Sequence, residues 1–189
     1  RAVIEADEAL ARIVDRYEVI VVDDGSRDAT AEIVAKLAAE RPNVRLVRHE
    51  TNKGYGAALR TGFAAAACDL VAFTDADCQF DLRELDRLVL LARDYPVVCG
   101  YRIDRQDPWL RCFYSRVYNH IVRFLLGTGV RDVDCAMKVF HRDALPKLPI
   151  TTSGFLINSE MLSQARLQGM PVVEVGVTHR PRTEGQSTV

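Results

Sequence analysis

Residues 18–26 read Glu18-Val-Ile-Val-Val-Asp-Asp-Gly-Ser26. A short β-branched run that stops on two acids, a glycine and a serine is the pattern of a fully buried strand ending in a turn. A helix is expected next, over Ala29 to Ala39, with Asp28 as its cap and Glu32 at a workable spacing. The same alternation continues outward. Val3 to Ile13 reads as an amphipathic helix before the strand. After it come a strand at Val44 to Val47, a turn at Asn52-Lys53-Gly54 and an alanine-rich helix from Tyr55 to Ala67. Then follow a strand at Leu70 to Thr74 that ends in Asp75-Ala76-Asp77, a helix over Leu82 to Arg93 and a strand at Val97 to Tyr101. Strands alternating with helices of about 10 to 15 residues make βαβ units and a mostly parallel sheet, so the fold class is α/β. Polar residues gather where the strands end, the edge at which open α/β sheets bind ligands.

The pattern changes after Pro108. Trp109 to Leu126 is one long helix, with Trp109, Phe113, Val117, Ile121 and Leu125 on one side. Val139-Phe140 and Val172 to Val177 read as strands, with a helix from Ser159 to Gln168 between them. No internal repeat or linker divides residues 1–189, so one domain is expected. The first residue, Arg1, falls inside a helical pattern, which reads as the interior of a longer protein.

Composition narrows the function. Twenty-five basic and 26 acidic residues give a formal net charge of -1, which argues against general nucleic-acid binding. No apolar run reaches the roughly 18–20 residues that a membrane span needs. Five cysteines without a CxxC pair suit a reducing compartment rather than a disulfide framework or a zinc site.

Two loops carry chemistry. Asp75 and Asp77, at i and i+2 just past a strand end, can converge on one hard cation, and Gln79 adds a neutral oxygen. An all-oxygen set of this kind suits Mg²⁺ or Mn²⁺. A solvated turn or a helix cap accounts for the same acids. At Asp23-Asp24-Gly25-Ser26 a carboxylate can accept from a nucleobase N–H. A capping turn with Gly25 at positive φ explains the glycine and serine there, but not two adjacent acids.

Four stretches in this order then resemble a known family: Val19–Thr30 (VIVVDDGSRDAT), Asn52–Gly62 (NKGYGAALRTG), Leu70–Asp81 (LVAFTDADCQFD) and Asp132–Phe140 (DVDCAMKVF). Together they resemble family 2 glycosyltransferases of the GT-A fold, and most of all polyprenyl-phosphate sugar synthases such as dolichyl-phosphate mannose or glucose synthase. The resemblance implies a mixed, mostly parallel sheet flanked by helices, whose first strand would precede Arg1. It implies that Asp75, Asp77 and Gln79 hold Mg²⁺ or Mn²⁺ on the donor diphosphate. It places Asp24 at the donor's base or ribose, with Asp23, Asn52, Lys53 and Gly54 around the nucleotide, and Arg182 near the diphosphate in a loop that closes over the donor. The donor would be of the GDP-mannose or UDP-glucose type.

On the acceptor side the resemblance implies that Arg102, Arg111 and Ser115 bind a polyprenyl phosphate. Arg111 and Ser115, at i and i+4, share one helix face. A lipid-phosphate oxygen is already anionic and needs only positioning, whereas a sugar or protein hydroxyl needs a carboxylate base. Asp134 and Glu160 are the candidates for that base. Asp132 and Asp134 flank Val133, so in an extended segment both point to one side. The helix from Trp109 mixes aromatic bulk with Arg111, Arg116 and Arg123, which fits both a core helix and one lying on a membrane surface. The expected location is the cytoplasmic face of a membrane. A hydroxyl-directed relative of the same fold, a non-catalytic nucleotide-binding domain and a nucleotidyltransferase are the competing readings.

Overall fold

The computed structural model describes residues 1–103, 109–154 and 156–181, with Arg111 described by its backbone alone. In chain order the elements are α1 (Ala2–Ile13), β1 (Val19–Asp23), α2 (Thr30–Glu40), β2 (Val44–Arg48), α3 (Tyr55–Ala65), β3 (Leu70–Phe73), α4 (Leu85–Leu91), β4 (Val97–Ile103), α5 (Trp109–Leu126), β5 (Lys138–His141), α6 (Ile157–Leu167) and β6 (Val172–Thr178). The helix expected over Leu82 to Arg93 divides into a 3₁₀ turn, Leu82–Glu84, and the shorter α4. The Asp81 carboxylate accepts from the Arg83 N–H at 3.2 Å and tightens the first turn.

The sheet is mixed, and less parallel than the alternation of elements suggested. β1 pairs with β2 in parallel, and β4 pairs with β6 in parallel. β5 lies between β3 and β4, antiparallel to both, with Lys138 opposite Phe73 on one side and Cys99 on the other. A strand antiparallel to β4 starts towards the edge where β4 ends. The long α5 and the turn after it are therefore retained at that edge instead of crossing back over the sheet, and the site is built there.

Among the described residues β1 and β2 form one sheet, and β3, β5, β4 and β6 another. α3 packs on both. A Cβ on Gly62 would stand 3.4 Å from Val22 of β1, while Phe63 one residue later packs edge-on to Phe73 at 5.8 Å and lies 6.2 Å from Phe140. The core continues through Leu88, Val97, Val98, Val139, Ile157 and Met161, all essentially inaccessible to solvent. Full burial of each such side chain contributes about 1.5–3 kcal/mol.

Of the two arrangements open to α5, core-packed or surface-lying, its apolar stripe takes the outward one: Trp109 is 77% exposed, Leu125 70%, and Phe113, Val117 and Ile121 are also exposed. The face turned to the protein carries Ser115, Tyr118, Asn119 and Val122, at the i, i+3, i+4, i+7 spacing of one helical face. Hydrogen bonds choose this face. Tyr118 meets the Ser159 hydroxyl of α6 at 2.8 Å, and Asn119 Oδ1 accepts from the Val133 N–H at 2.8 Å. Among the described residues no helix is long and apolar enough to cross a membrane.

Candidate active site

The acidic loop leaves the end of β3. Asp77 Oδ1 accepts from the Gln79 N–H at 3.1 Å, and Cys78 between them adopts φ 58°. A non-glycine residue in this left-handed region carries roughly 1–2 kcal/mol of backbone strain. The strained residue turns the chain sharply, so that Gln79 is buried under the loop. The Gln79 amide then donates to the Arg180 carbonyl at 3.1 Å, and the Arg180 N–H donates to the Gln79 carbonyl at 2.8 Å. Phe80 and His179 form a further antiparallel bridge beside this pair. The Arg180 guanidinium pairs with Asp81 at 2.7 Å. The end of β6 thus clamps the base of the acidic loop.

Asp75 meets solvent through the mouth of the site and protein on its other sides. That crowding, followed by the negative charge of Asp77, raises its carboxyl above the usual range, and the Lys138 ammonium leads the opposing influences. Two carboxylates close enough to repel, with an amide two residues on, fit a hard divalent cation, whose charge would relieve the repulsion. Asp75, Asp77 and Gln79 are the residues that would hold it.

The Asp23-Asp24-Gly25-Ser26 turn has the positive φ expected at Gly25, 74°. A Cβ there would collide with the Thr51–Asn52 backbone at 2.7 Å, so the turn can lie directly on the Asn52-Lys53-Gly54 segment. Asp24 binds the two together. Its Oδ1 accepts from the Lys53 N–H at 2.9 Å and from His49 Nδ1 at 2.6 Å, and its Oδ2 accepts from the Gly54 N–H at 2.8 Å. A donor contact through Asp24 has to share these oxygens. Buried Asp23 accepts from the Ser26 N–H at 3.0 Å and pairs with Arg48 Nε at 3.1 Å. Asn52 Oδ1 also accepts from the Gly54 N–H, at 3.1 Å.

A third loop, residues 150–154, lies on the start of α3. Ser153 O accepts from the Gly56 N–H at 2.8 Å, and Arg60 donates to Thr152 O at 2.7 Å. A Cβ on Gly56 would come within 2.2 Å of Thr152 O, which explains the second glycine of NKGYG. Glu160 holds this loop. Its carboxylate accepts from the N–H groups of Thr151 and Thr152 and from the Thr151 hydroxyl at 2.7–3.1 Å. These bonds bring its pKa down to about 2. The expectation of Glu160 as a base is corrected accordingly: a carboxylate so acidic and so fully hydrogen-bonded is a poor proton acceptor, and it serves as a loop cap.

A testable consequence follows from the sign of that shift. Stability from this cap is fully present above the usual glutamate value of 4.5 and is lost as pH falls towards about 2. Glu160→Gln is expected to cost about 1 kcal/mol at pH 7 and to flatten the fall in urea midpoint across that acid window. Transfer activity should drop by less than the roughly 100-fold that loss of a general base costs at minimum. A larger loss with an unchanged urea midpoint would restore the base reading.

The segment 131–135 is a turn, not the extended stretch expected, and it separates its two acids. Asp132 is buried in a bidentate pair with Arg102, at 2.7 and 2.8 Å, and also accepts from the Arg102 N–H at 3.2 Å. Arg102 was expected on the acceptor phosphate; the structure turns its guanidinium onto Asp132 instead. Asp134 is partly exposed and near enough to Tyr55 and Tyr118 for its charge to help raise both phenols. Ser115 receives Asn119 Nδ2, at 2.8 Å on its carbonyl and 3.3 Å on its hydroxyl. The side chain of Arg111, and Arg182 with Gly185 and Ser187, lie outside the described residues.

The fold therefore brings Asp75, Asp77, Gln79 and Asp134 to one strand edge and joins the Asp23–Ser26 and Asn52–Gly54 loops beside them. The burial of Lys138 was missed. One signal was available: a lysine inside Cys135-Ala-Met-Lys-Val-Phe140 breaks an apolar run and requires a buried partner.

An acid pair stands beyond one strand end of the mixed α/β sheet, and glycine-built loops stand beyond another. The chain belongs to glycosyl transferase family 2, whose description fits residues 5–148. It is 36% identical over 176 residues to glycosyltransferase AglD of Haloferax volcanii, covering 89% of this chain and 28% of that protein. It is 32% identical over 185 residues to undecaprenyl-phosphate 4-deoxy-4-formamido-L-arabinose transferase of Edwardsiella ictaluri, covering 91% and 53%. The chain thus spans 28% and 53% of the length of these two relatives. Among solved structures it is similar to glucosyl-3-phosphoglycerate synthase of Mycobacterium tuberculosis, with a TM-score of 0.74 and 24% identity over 98% of this chain and 69% of that one. The same enzyme in complex with Mn²⁺, UDP-glucose and phosphoglyceric acid gives a TM-score of 0.73 at 22% identity, covering 98% and 68%. At these identities the structural likeness establishes the GT-A fold.

Proposed function

We propose that this single domain catalyses metal-dependent, inverting transfer of a sugar from a nucleotide-diphosphate donor to a polyprenyl phosphate. The observation that carries the reading is the clamped acidic loop, which presents Asp75 and Asp77 at the strand-end edge with Asp134 nearby. The bound cation would supply Lewis-acid neutralisation of the leaving diphosphate. The chain's own residues hold and orient. Gln79 and the end of β6 fix the acidic loop, and Asp24 fixes the nucleotide loops against each other. In this reading Asp134 serves the acceptor, Ser115 and Arg111 the acceptor phosphate, and Arg182 the donor diphosphate.

The lipid acceptor is supported by the named substrate of the arabinose-transferase relatives and by α5. Phe124 is 82% exposed, and Trp109 and Leu125 are nearly as open, with Arg116 and Arg123 exposed among them. Aromatic and basic side chains on one exposed helix suit an anionic bilayer surface. The free cysteines agree with a cytoplasmic face.

The test uses the full-length protein with polyprenyl phosphate, GDP-mannose or UDP-glucose, and Mn²⁺, Mg²⁺ or chelator. Glycolipid formed with metal and lost with chelator is the expected result, and the productive donor names the nucleotide. Donor hydrolysis without glycolipid would move the acceptor to a hydroxyl compound. No donor binding at all would favour a non-catalytic domain.

A further inference from the structure

His49 is the first residue after β2, a buried polar side chain that the chemistry above does not use. Its N–H donates to the Asp23 carbonyl at 2.9 Å, which carries the β1–β2 pairing one residue past the end of β2. That bond fixes the backbone from which the imidazole reaches two other elements. Nδ1 meets Asp24 Oδ1 at 2.6 Å, and Nε2 meets the Thr61 hydroxyl of α3 at 2.9 Å. Both ring nitrogens are thus engaged. One buried ring ties together the turn after β1, the end of β2 and the middle of α3.

Chemistry sets the directions. Burial opposes ionisation of Asp24, yet the bonds from His49, Lys53 and Gly54 hold its carboxyl below the ordinary value, so at neutral pH it only accepts. The proton between the two side chains therefore sits on His49 Nδ1. In the neutral ring Nε2 then has to accept, and the Thr61 hydroxyl donates to it. Thr61 thereby selects the tautomer that Asp24 requires. A protonated ring keeps the bond to Asp24 as well, because Nδ1 carries hydrogen in both states.

The same bonds decide what remains of Asp24. A carboxylate offers about four acceptor places, roughly two on each oxygen. Among the described residues, Oδ1 takes His49 Nδ1 and the Lys53 N–H, and Oδ2 takes the Gly54 N–H. One place is left, on Oδ2, and the Asp24 side chain is 18% exposed. We propose that His49 is the positioning residue of the donor site: it occupies Asp24 Oδ1, braces the carboxylate on α3 through Thr61, and leaves Oδ2 to accept one N–H or O–H of the nucleotide. This rests on the nucleotide-sugar reading above and adds the residue that orients its Asp24 contact.

The test compares two amides in place of His49 in the full-length protein, with UDP and GDP binding in the presence of Mn²⁺ read by calorimetry. In His49→Asn the amide nitrogen overlies Nδ1, so the bond to Asp24 survives and that to Thr61 is lost. In His49→Gln the amide overlies Nε2, so the contact with Thr61 survives and that with Asp24 is lost. A hydrogen bond to a charged group governs about 10–100-fold in an equilibrium. Affinity for the nucleotide that wild type binds should therefore fall at least about tenfold in His49→Gln and stay within about threefold in His49→Asn. The donor KM should follow the same order with kcat nearly unchanged. Thermal melts of both variants separate this from a packing role, in which affinity would follow melting temperature whichever amide is present. The nitrogen NMR spectrum of the wild-type imidazole should show hydrogen on Nδ1, and a neutral ring with hydrogen on Nε2 alone would overturn the proposal without any variant. Equal nucleotide affinity in the two amide variants, with wild-type binding intact, would overturn the role of His49 and leave the donor reading standing. Wild-type protein that binds neither UDP nor GDP would overturn the donor reading and this proposal with it.

Discussion

Asp77→Asn is expected to leave the fold intact and to lower metal-dependent glycosyl transfer by more than about 100-fold. The size follows from its place. Loss of an outer partner of a metal ligand already costs 10–100-fold, and Asp77 is one of two carboxylates that would meet the cation directly. The fold survives for a local reason. Asp77 Oδ1 accepts the Gln79 N–H at 3.1 Å, and an asparagine oxygen can accept the same bond, so the turn through Cys78 keeps its closure. Removing one charge also removes the repulsion that raises the Asp75 carboxyl, so stability should not fall. The check is turnover against Mn²⁺ concentration beside a thermal melt. Near-wild-type transfer in Asp77→Asn would show that the acidic loop does not carry the metal.

The second large effect is on stability. Arg102→Met is expected to destabilise the protein by about 3–5 kcal/mol, the cost of stranding one member of a buried ion pair. The two side chains are only 10% and 9% exposed, and the pair is bidentate. Removing the guanidinium leaves Asp132 as an uncompensated charge against buried Val133 and Cys135. Asp132→Asn should be costly as well, while replacing both members with apolar residues of similar volume should recover much of the loss. Urea unfolding of the singles and the double measures this. If Arg102 instead served mainly to bind acceptor phosphate, Arg102→Met would keep its urea midpoint and raise the apparent KM for the lipid phosphate.

The predictions read different parts of one edge. Asp77 reports on metal, Arg102 on the scaffold beneath the proposed acceptor side, and Glu160 on the loop that supports α3. If the site is built as described, metal affinity, stability and acid sensitivity will separate among them.

The sequence by itself determined what depends on neighbours along the chain. β1 and β3 are apolar runs bounded by turn residues, and they form where those runs lie. Gly25 has positive φ because its turn demands it, and the acids of the two loops stand at strand ends because the runs stop there. Motif order carried the family as well. Only the tertiary structure decided what depends on residues far apart in the chain. Trp109, Phe113 and Leu125 make as good an inward stripe by spacing as the face that packs, but Ser159 and Val133 offer their hydrogen bonds to Tyr118 and Asn119, so the apolar stripe faces out. Arg102 and Glu160 have the side chains of a phosphate ligand and a base. The antiparallel entry of β5 sets the 131–135 turn beside β4, where Asp132 takes Arg102, and the Thr151–Thr152 segment takes the oxygens of Glu160. The identity of a side chain states which bonds it can make; the partner it meets is chosen by sheet order and burial.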